Sequence, residues 1–207
     1  MPRKQPANRR TGPPGSVRII GGSWRGRRIA VLPGAELRPT PDRVRETLFN
    51  WLSPFLSGKR CLDLYAGTGA LGLEALSRGA AEVWFVERDA GVAAALDATL
   101  RRFGNPAADS SVPIRSRVLA TDARRWLKNP PLATFDVVFL DPPYAANSLG
   151  DLCTLLARGW LAAEAWVYLE TSRSQSMPVL PEGWQLHRES HAGDVRYALA
   201  TVRSTHP

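Results

Sequence analysis

The sequence predicts an α/β fold: a Rossmann-like, doubly wound sheet with a C-terminal antiparallel hairpin and an N-terminal β-hairpin arm. Three observations predict it. Short apolar β-runs alternate with helix-period segments from Cys61 to Leu169, the pattern of parallel strands joined by helical crossovers. A glycine-rich turn, Gly67-Thr68-Gly69-Ala70-Leu71-Gly72, follows the first of these runs and opens a helix. The chain closes on two β-runs, Trp184 to Glu189 and Val195 to Val202, near enough in sequence to pair as a hairpin.

With 207 residues and 44% hydrophobic content, the chain can bury one sizeable core. Three segments are expected: a basic tail over residues 1–16, a basic hairpin arm over 17–36 and the main domain over 37–207. No window of about 18 apolar residues exists, and MPRKQPANRR lacks the apolar core of a signal peptide. A cytoplasmic protein without a membrane partner is therefore expected. Cys61 and Cys153 lie in apolar runs without paired spacing, which predicts buried free thiols and no metal site.

Charge is unevenly placed. Residues 1–60 carry 13 Lys or Arg against 3 Asp or Glu, a net of +10, whereas residues 61–207 carry 14 against 16, a net of −2. Clustered cations at the front of the chain suit a nucleic-acid surface, because each neutralised phosphate releases counterions. Val17 to Ile20 and Arg27 to Leu32 read as two short strands around a glycine-rich turn. Arg18, Trp24, Arg25, Arg27 and Arg28 are placed by that reading on an RNA-facing hairpin, with the indole as a stacking surface.

A helix follows. Thr40 is expected as its N-cap, Pro41 at the first helical position and Asp42 against the positive end of the dipole. Val44, Leu48, Trp51 and Leu52 recur at helical spacing, and Ser53-Pro54 ends the run. The remaining expected elements are strands at Cys61 to Tyr65, Glu82 to Val86, Arg115 to Leu119, Phe135 to Leu140 and Trp166 to Leu169. Helices are expected at Ala70 to Arg78, Asp89 to Phe103, Ala123 to Leu127 and Leu149 to Arg158.

The glycine turn lets the backbone approach a ligand closely. Glu87, 24 residues after Asp63, ends the next strand, where a carboxylate can accept the hydroxyls of a ribose; Asp122, after the third strand, can reach an adenine edge. Taken alone, Gly67-x-Gly69-x-x-Gly72 fits a nicotinamide dinucleotide as well as S-adenosylmethionine. Asp63, before the glycines, leans toward the cationic ligand, since a dinucleotide brings a pyrophosphate.

The stretch FDVVFLDPPY, Phe135 to Tyr144, separates them further. Two prolines end the β-ladder and hold Asp141 and its neighbouring carbonyls at the sheet edge. Asp141 and the Pro142 carbonyl can accept the two N–H groups of an exocyclic amine and aim its lone pair at an electrophile, an interaction that strengthens as charge develops on nitrogen. Pro143 stiffens the turn, and Tyr144 is expected to stack on an extruded base, a contact worth on the order of 1 to 3 kcal/mol. The motif reads an amine rather than a base identity, so adenine-N6 methylation of DNA or RNA stands beside guanine methylation, and a non-catalytic RNA-binding assembly factor is the alternative of another class.

From Val17 to Val202 the chain resembles the bacterial 16S ribosomal RNA (guanine-N2)-methyltransferase family. The resemblance rests on RIIGGSWRGRRI (18–29), LRPTPDRVRETLFNWL (37–52), CLDLYAGTGALGLEALSRGA (61–80) and VVFLDPPY (137–144). Pro41 stands where the family more often has Thr or Ser. The resemblance implies an S-adenosylmethionine-dependent methyltransferase sheet and methyl transfer to N2 of one guanine in 16S rRNA, with the small ribosomal subunit as partner. It places Asp63, Gly67 and Gly69 along the methionine part of the cofactor, Glu87 at its ribose, and Asp122 with Ala123 at its adenine. Asp141, Pro142, Pro143 and Tyr144 would hold the guanine, and Arg38, Thr40 and Arg43 would join the hairpin residues against RNA. A monomer without a metal is expected.

Overall fold

The computed structural model describes residues 15–31, 40–104, 115–143 and 149–203. Most of the expected tail, Arg38 and Tyr144 lie outside the described residues. The N-terminal hairpin is present as β1 (Ser16–Arg18) paired antiparallel with β2 (Arg28–Ala30). Helix α1 (Asp42–Leu52) follows and buries Val44, Leu48, Phe49 and Leu52 along one stripe.

The alternating part runs β3 (Arg60–Leu64), α2 (Ala70–Ser77), β4 (Glu82–Glu87), α3 (Ala90–Phe103), β5 (Arg115–Ala120), α4 (Ala123–Leu127), β6 (Phe135–Leu140), α5 (Leu149–Leu156) and β7 (Leu161–Ser172). It closes on β8 (Trp184–Ala192) and β9 (Val195–Arg203). Seven strands share one sheet in the order β5-β4-β3-β6-β7-β9-β8. The first five of these pair in parallel, and β9 is antiparallel to both β7 and β8. This is the architecture the sequence predicts.

Helices cover both faces, which is why β3 and β6 read as nearly continuous apolar runs. Cys61, Val137, Phe139 and Tyr168 share a core with α1, α2, α3 and the hairpin. Leu62, Val138, Leu140 and Leu169 face the other core, formed with α4 and α5. Chain order reverses between β3 and β6, so their carboxyl ends flank the crevice where open α/β sheets bind ligands. Strand β7 extends well beyond the expected Trp166 to Leu169, because β9 pairs with it from Glu164 to Ser172. That pairing overrides the weak strand propensity of Ala162 to Ala165.

Two expectations need correction. The Trp24 indole is not offered to RNA at the turn: it is 2% exposed and packs edge-on against Phe103 of α3. The chain around it is fastened to the end of α2, with Trp24 N–H donating to Ser77 Oγ and Ser23 N–H to the Ser77 carbonyl. Thr40 does not cap α1; Pro41 occupies that position without a side-chain hydrogen bond. Proline at the cap leaves the hydroxyl one residue earlier, free to point elsewhere.

The hairpin is locked by a buried carboxylate. Glu74 on α2 is fully buried and accepts from the backbone N–H groups of Ile20 and Gly21 and from Arg78 Nε. Arg45 of α1, also fully buried, lies 3.7 Å from Glu74 and donates to the Arg18 carbonyl and to Asp42. The glycines of the turn have a steric reason: a Cβ on Gly22 would sit 1.8 Å from the Ser77 carbonyl oxygen.

Candidate active site

Every strand of the parallel set delivers one acidic residue or a glycine turn to the same edge. Asp63 is the penultimate residue of β3 and is 3% exposed. Its Oδ2 accepts from Gly72 N–H at 2.9 Å, which ties the strand to the first turn of α2. Gly67 and Gly69 both have positive φ, 52° and 75°, and a Cβ on Gly69 would meet Leu96 at 2.3 Å. Gly72 is needed for another reason: a Cβ there would lie 2.2 Å from Phe85 of β4.

Glu87, at the end of β4, holds this loop in shape. Its two oxygens accept from Gly67 N–H at 2.9 Å and Asp89 N–H at 2.8 Å. Each oxygen retains a further lone pair for a hydroxyl. Asp122 caps α4 by accepting from Arg125 N–H, and Ala123 is buried behind it. Tyr65 enters here without having been singled out by any motif. It is the one described non-glycine residue with positive φ, 62°, and burial followed by the nearby Asp122 carboxylate pushes its hydroxyl up to about 12.

On the other side of the crevice, Asp141 follows the last residue of β6, Pro142 is buried and Pro143 is exposed. Thr40 Oγ1 donates to Asp141 Oδ2 at 3.2 Å, so the residue expected as a helix cap is a partner of the Asp141 carboxylate. Leu140 pairs with Leu169 across to β7, which sets Asp141 beside Glu170 in the next row. Glu170 is 3% exposed and accepts from the Tyr168 hydroxyl at 2.6 Å. Sequence reasoning misses Glu170, because only the β6–β7 register shows that it lies beside Asp141.

The resulting electrostatics are those of like charges crowded out of water. Burial, opposed by the Gly72 N–H and reinforced by Glu87, pushes Asp63 up to about 8. Asp141 is raised well above the usual carboxylate range, first by burial and then by Glu170, with the Thr40 hydroxyl pulling the other way. Tyr168 is raised by burial and by Glu170 and Asp141. A cation entering the crevice relieves this crowding, whereas a pyrophosphate worsens it. The donor set therefore fits a sulfonium-bearing ligand better than a dinucleotide.

The expected RNA-facing residues fall into two groups. Exposed Arg43 on the first turn of α1, and Arg18, 3.8 Å from Asp42, stand on the side of the crevice where Thr40 meets Asp141. Arg25, Arg27 and Arg28 are exposed around the turn, where Arg27 donates to the Phe103 carbonyl at the end of α3. Helices α2 and α3 leave the carboxyl edge and end at the amino edge, so the turn with Arg25 and Arg27 sits toward the amino edge, whereas Arg28 pairs directly with Arg18 in the hairpin.

Residues 17–201 match the family model described as Conserved hypothetical protein 95. Among solved structures, that of the Escherichia coli protein yhhF, described as a methyltransferase, superposes with a TM-score of 0.81 at 41% identity, covering 92% of this chain and 100% of that one. An RNA methyltransferase from Salinibacter ruber in complex with S-adenosyl-L-homocysteine shares the fold, with a TM-score of 0.59 at 16% identity over 82% of this chain and 97% of that one. Ribosomal RNA small subunit methyltransferase D of Escherichia coli strain K12 is 45% identical over 186 residues, which is 89% of each chain. The family to which this chain belongs is therefore that of ribosomal RNA small subunit methyltransferase D.

Proposed function

We propose that this chain transfers a methyl group from S-adenosylmethionine to the exocyclic N2 of one guanine in 16S rRNA of the small ribosomal subunit. The observation that carries this reading is Asp141 at the end of β6, held by Thr40 and facing the glycine turn that leaves β3. The name of the 45% identical relative supports an rRNA substrate in the small subunit. The exocyclic amine follows from the chemistry of Asp141-Pro142-Pro143-Tyr144, and N2 of guanine from the family resemblance of the surrounding blocks.

When bound, S-adenosylmethionine supplies an electrophilic methyl group on a sulfonium. Asp63 and the turn through Gly67 and Gly69 hold the charged end, Glu87 takes the ribose, and Asp122 with Ala123 borders the adenine. Asp141 and the Pro142 carbonyl accept the two N–H groups of the target amine, which directs its lone pair away from the ring and toward the methyl. As the nitrogen gains positive charge, these acceptors bind it more tightly, which is the differential stabilisation that catalysis requires. Asp141 acts as its carboxylate, the form that the Thr40 hydroxyl favours, and in that form it takes the proton released from nitrogen.

Incubation with labelled S-adenosylmethionine and small subunits from a strain lacking this enzyme, followed by mapping, tests the reading. One methyl on guanine N2 of 16S rRNA is expected. Methyl groups on adenine N6 would replace the guanine assignment, and no transfer would revive a non-catalytic assembly role.

A further inference from the structure

The arginines at the hairpin turn lie at the amino edge, yet an RNA bound at Asp141 must also be held by its phosphates at the carboxyl edge. Arg18 and Arg43 serve one side of the crevice. The other side carries cations that the charge count of residues 61–207, a net of −2, conceals. Resting on the RNA reading above, we infer that Arg173, His191 and Arg196 form a binding site for one RNA phosphodiester flanking the methylated nucleotide.

These residues line a cavity of about 320 Å³ together with Glu189 and Ser190. The ladders explain why they converge. Arg196 of β9 pairs directly with His191 of β8 and with Thr171 of β7, so Arg196 and His191 project from the same face. Arg173 follows Ser172, the last residue of β7, and its backbone N–H is fixed to the Asp194 carbonyl at 2.8 Å. Glu189 and the Gln175 carbonyl hold the Arg196 guanidinium in place, so little freedom remains to be lost when an anion binds. Among the lining residues two arginines stand against one carboxylate, and a guanidinium matches the paired oxygens of a phosphodiester.

Its position relates it to the reaction. Asp141 stands in the row of Glu170 and Tyr197, two strands away from β9. Two strand spacings of about 4.8 Å put the Arg196 backbone about 10 Å from that of Asp141. Arg196 is one residue from Tyr197 and therefore points to the opposite face of the sheet from Asp141. An extruded base entering beside Asp141 on one face, with its backbone crossing the strand ends, brings a neighbouring phosphate to this pocket.

The test compares wild-type protein with Arg173→Ala/Arg196→Ala in binding small ribosomal subunits that lack the modification, over a series of salt concentrations. The double variant is expected to bind about tenfold more weakly at low salt. Its slope of log Kd against log salt should shrink by about one, the share of a single phosphate. Affinity for S-adenosylmethionine should stay unchanged, and Arg173→Lys/Arg196→Lys should restore the slope. Equal affinity and slope in wild type and double variant overturn the site. If loss of the Glu189 pair unfolds the double variant, Arg173→Ala alone, at an exposed position, is expected to weaken binding about threefold, and no weakening overturns the site. Failure of the wild type to methylate guanine N2 strikes the functional reading, whereas the binding comparison judges the pocket by itself.

Discussion

Two regions of this molecule bury carboxylates, and they treat them oppositely. Beneath the N-terminal hairpin, Glu74 is saturated: two backbone N–H groups and Arg78 bond it, and Arg45 stands close by. At the carboxyl edge, burial and neighbouring carboxylates, Glu87 beside Asp63 and Glu170 beside Asp141, hold the protons of Asp63 and Asp141 far above the usual range. Opposite charges in the first region fasten one element to another. Like charges in the second wait for a cation and a proton donor, as perturbed groups at functional sites do. Burial of charge therefore does not mark chemistry here; the crowding of like charges does.

The largest expected effect breaks the first region. Glu74→Ala strands Arg45 in the interior and frees two backbone donors, so stability in urea should fall by about 3–5 kcal/mol. A loss within about 0.5 kcal/mol, the range of ordinary surface substitutions, would show that the hairpin is not locked as described. Thr40→Val works on the second region and removes the hydroxyl that favours ionised Asp141. Single-turnover methylation should slow about tenfold, matching a hydrogen bond to a charged group, while the melting temperature stays near that of the wild type. An unchanged rate would detach Thr40 from the site.

A smaller effect concerns pH. Folded Asp63 keeps its proton until about pH 8, whereas an aspartate free in the unfolded chain loses it near 3.8, so the folded state binds more protons between these limits. Stability is therefore expected to decline as pH rises through that interval, and Asp63→Asn should flatten the decline in denaturation curves at pH 5 and pH 8. By the same sign, a cationic ligand should bind more tightly as pH rises toward 8. Calorimetry showing S-adenosylmethionine affinity independent of pH from 6 to 8 would remove Asp63 from contact with the charge.

How much of this was legible in the sequence depended on range. The strands and helices from Cys61 to Leu140 were readable because apolar periodicity is local, and Asp63, the glycines, Glu87 and Asp141 could be placed by strand ends. The role of Glu74 was hidden, since a carboxylate in Ala70-Leu71-Gly72-Leu73-Glu74 reads as solvent-facing until the hairpin, more than fifty residues earlier, is docked on it. Trp24 was misread for the same reason: an indole among arginines and glycines resembles a stacking surface, and only the distant Phe103 shows where it packs. Glu170 needed the β6–β7 register, and Thr40 needed a helix boundary one residue finer than capping patterns supply.

The central claim is that Asp141 acts on the reacting amine rather than shaping the fold. Single-turnover methylation of small subunits by Asp141→Ala at saturating S-adenosylmethionine tests it directly. The expected result is a rate reduced by about a hundredfold or more, with cofactor affinity and melting temperature retained. A rate within twofold of wild type would contradict the claim.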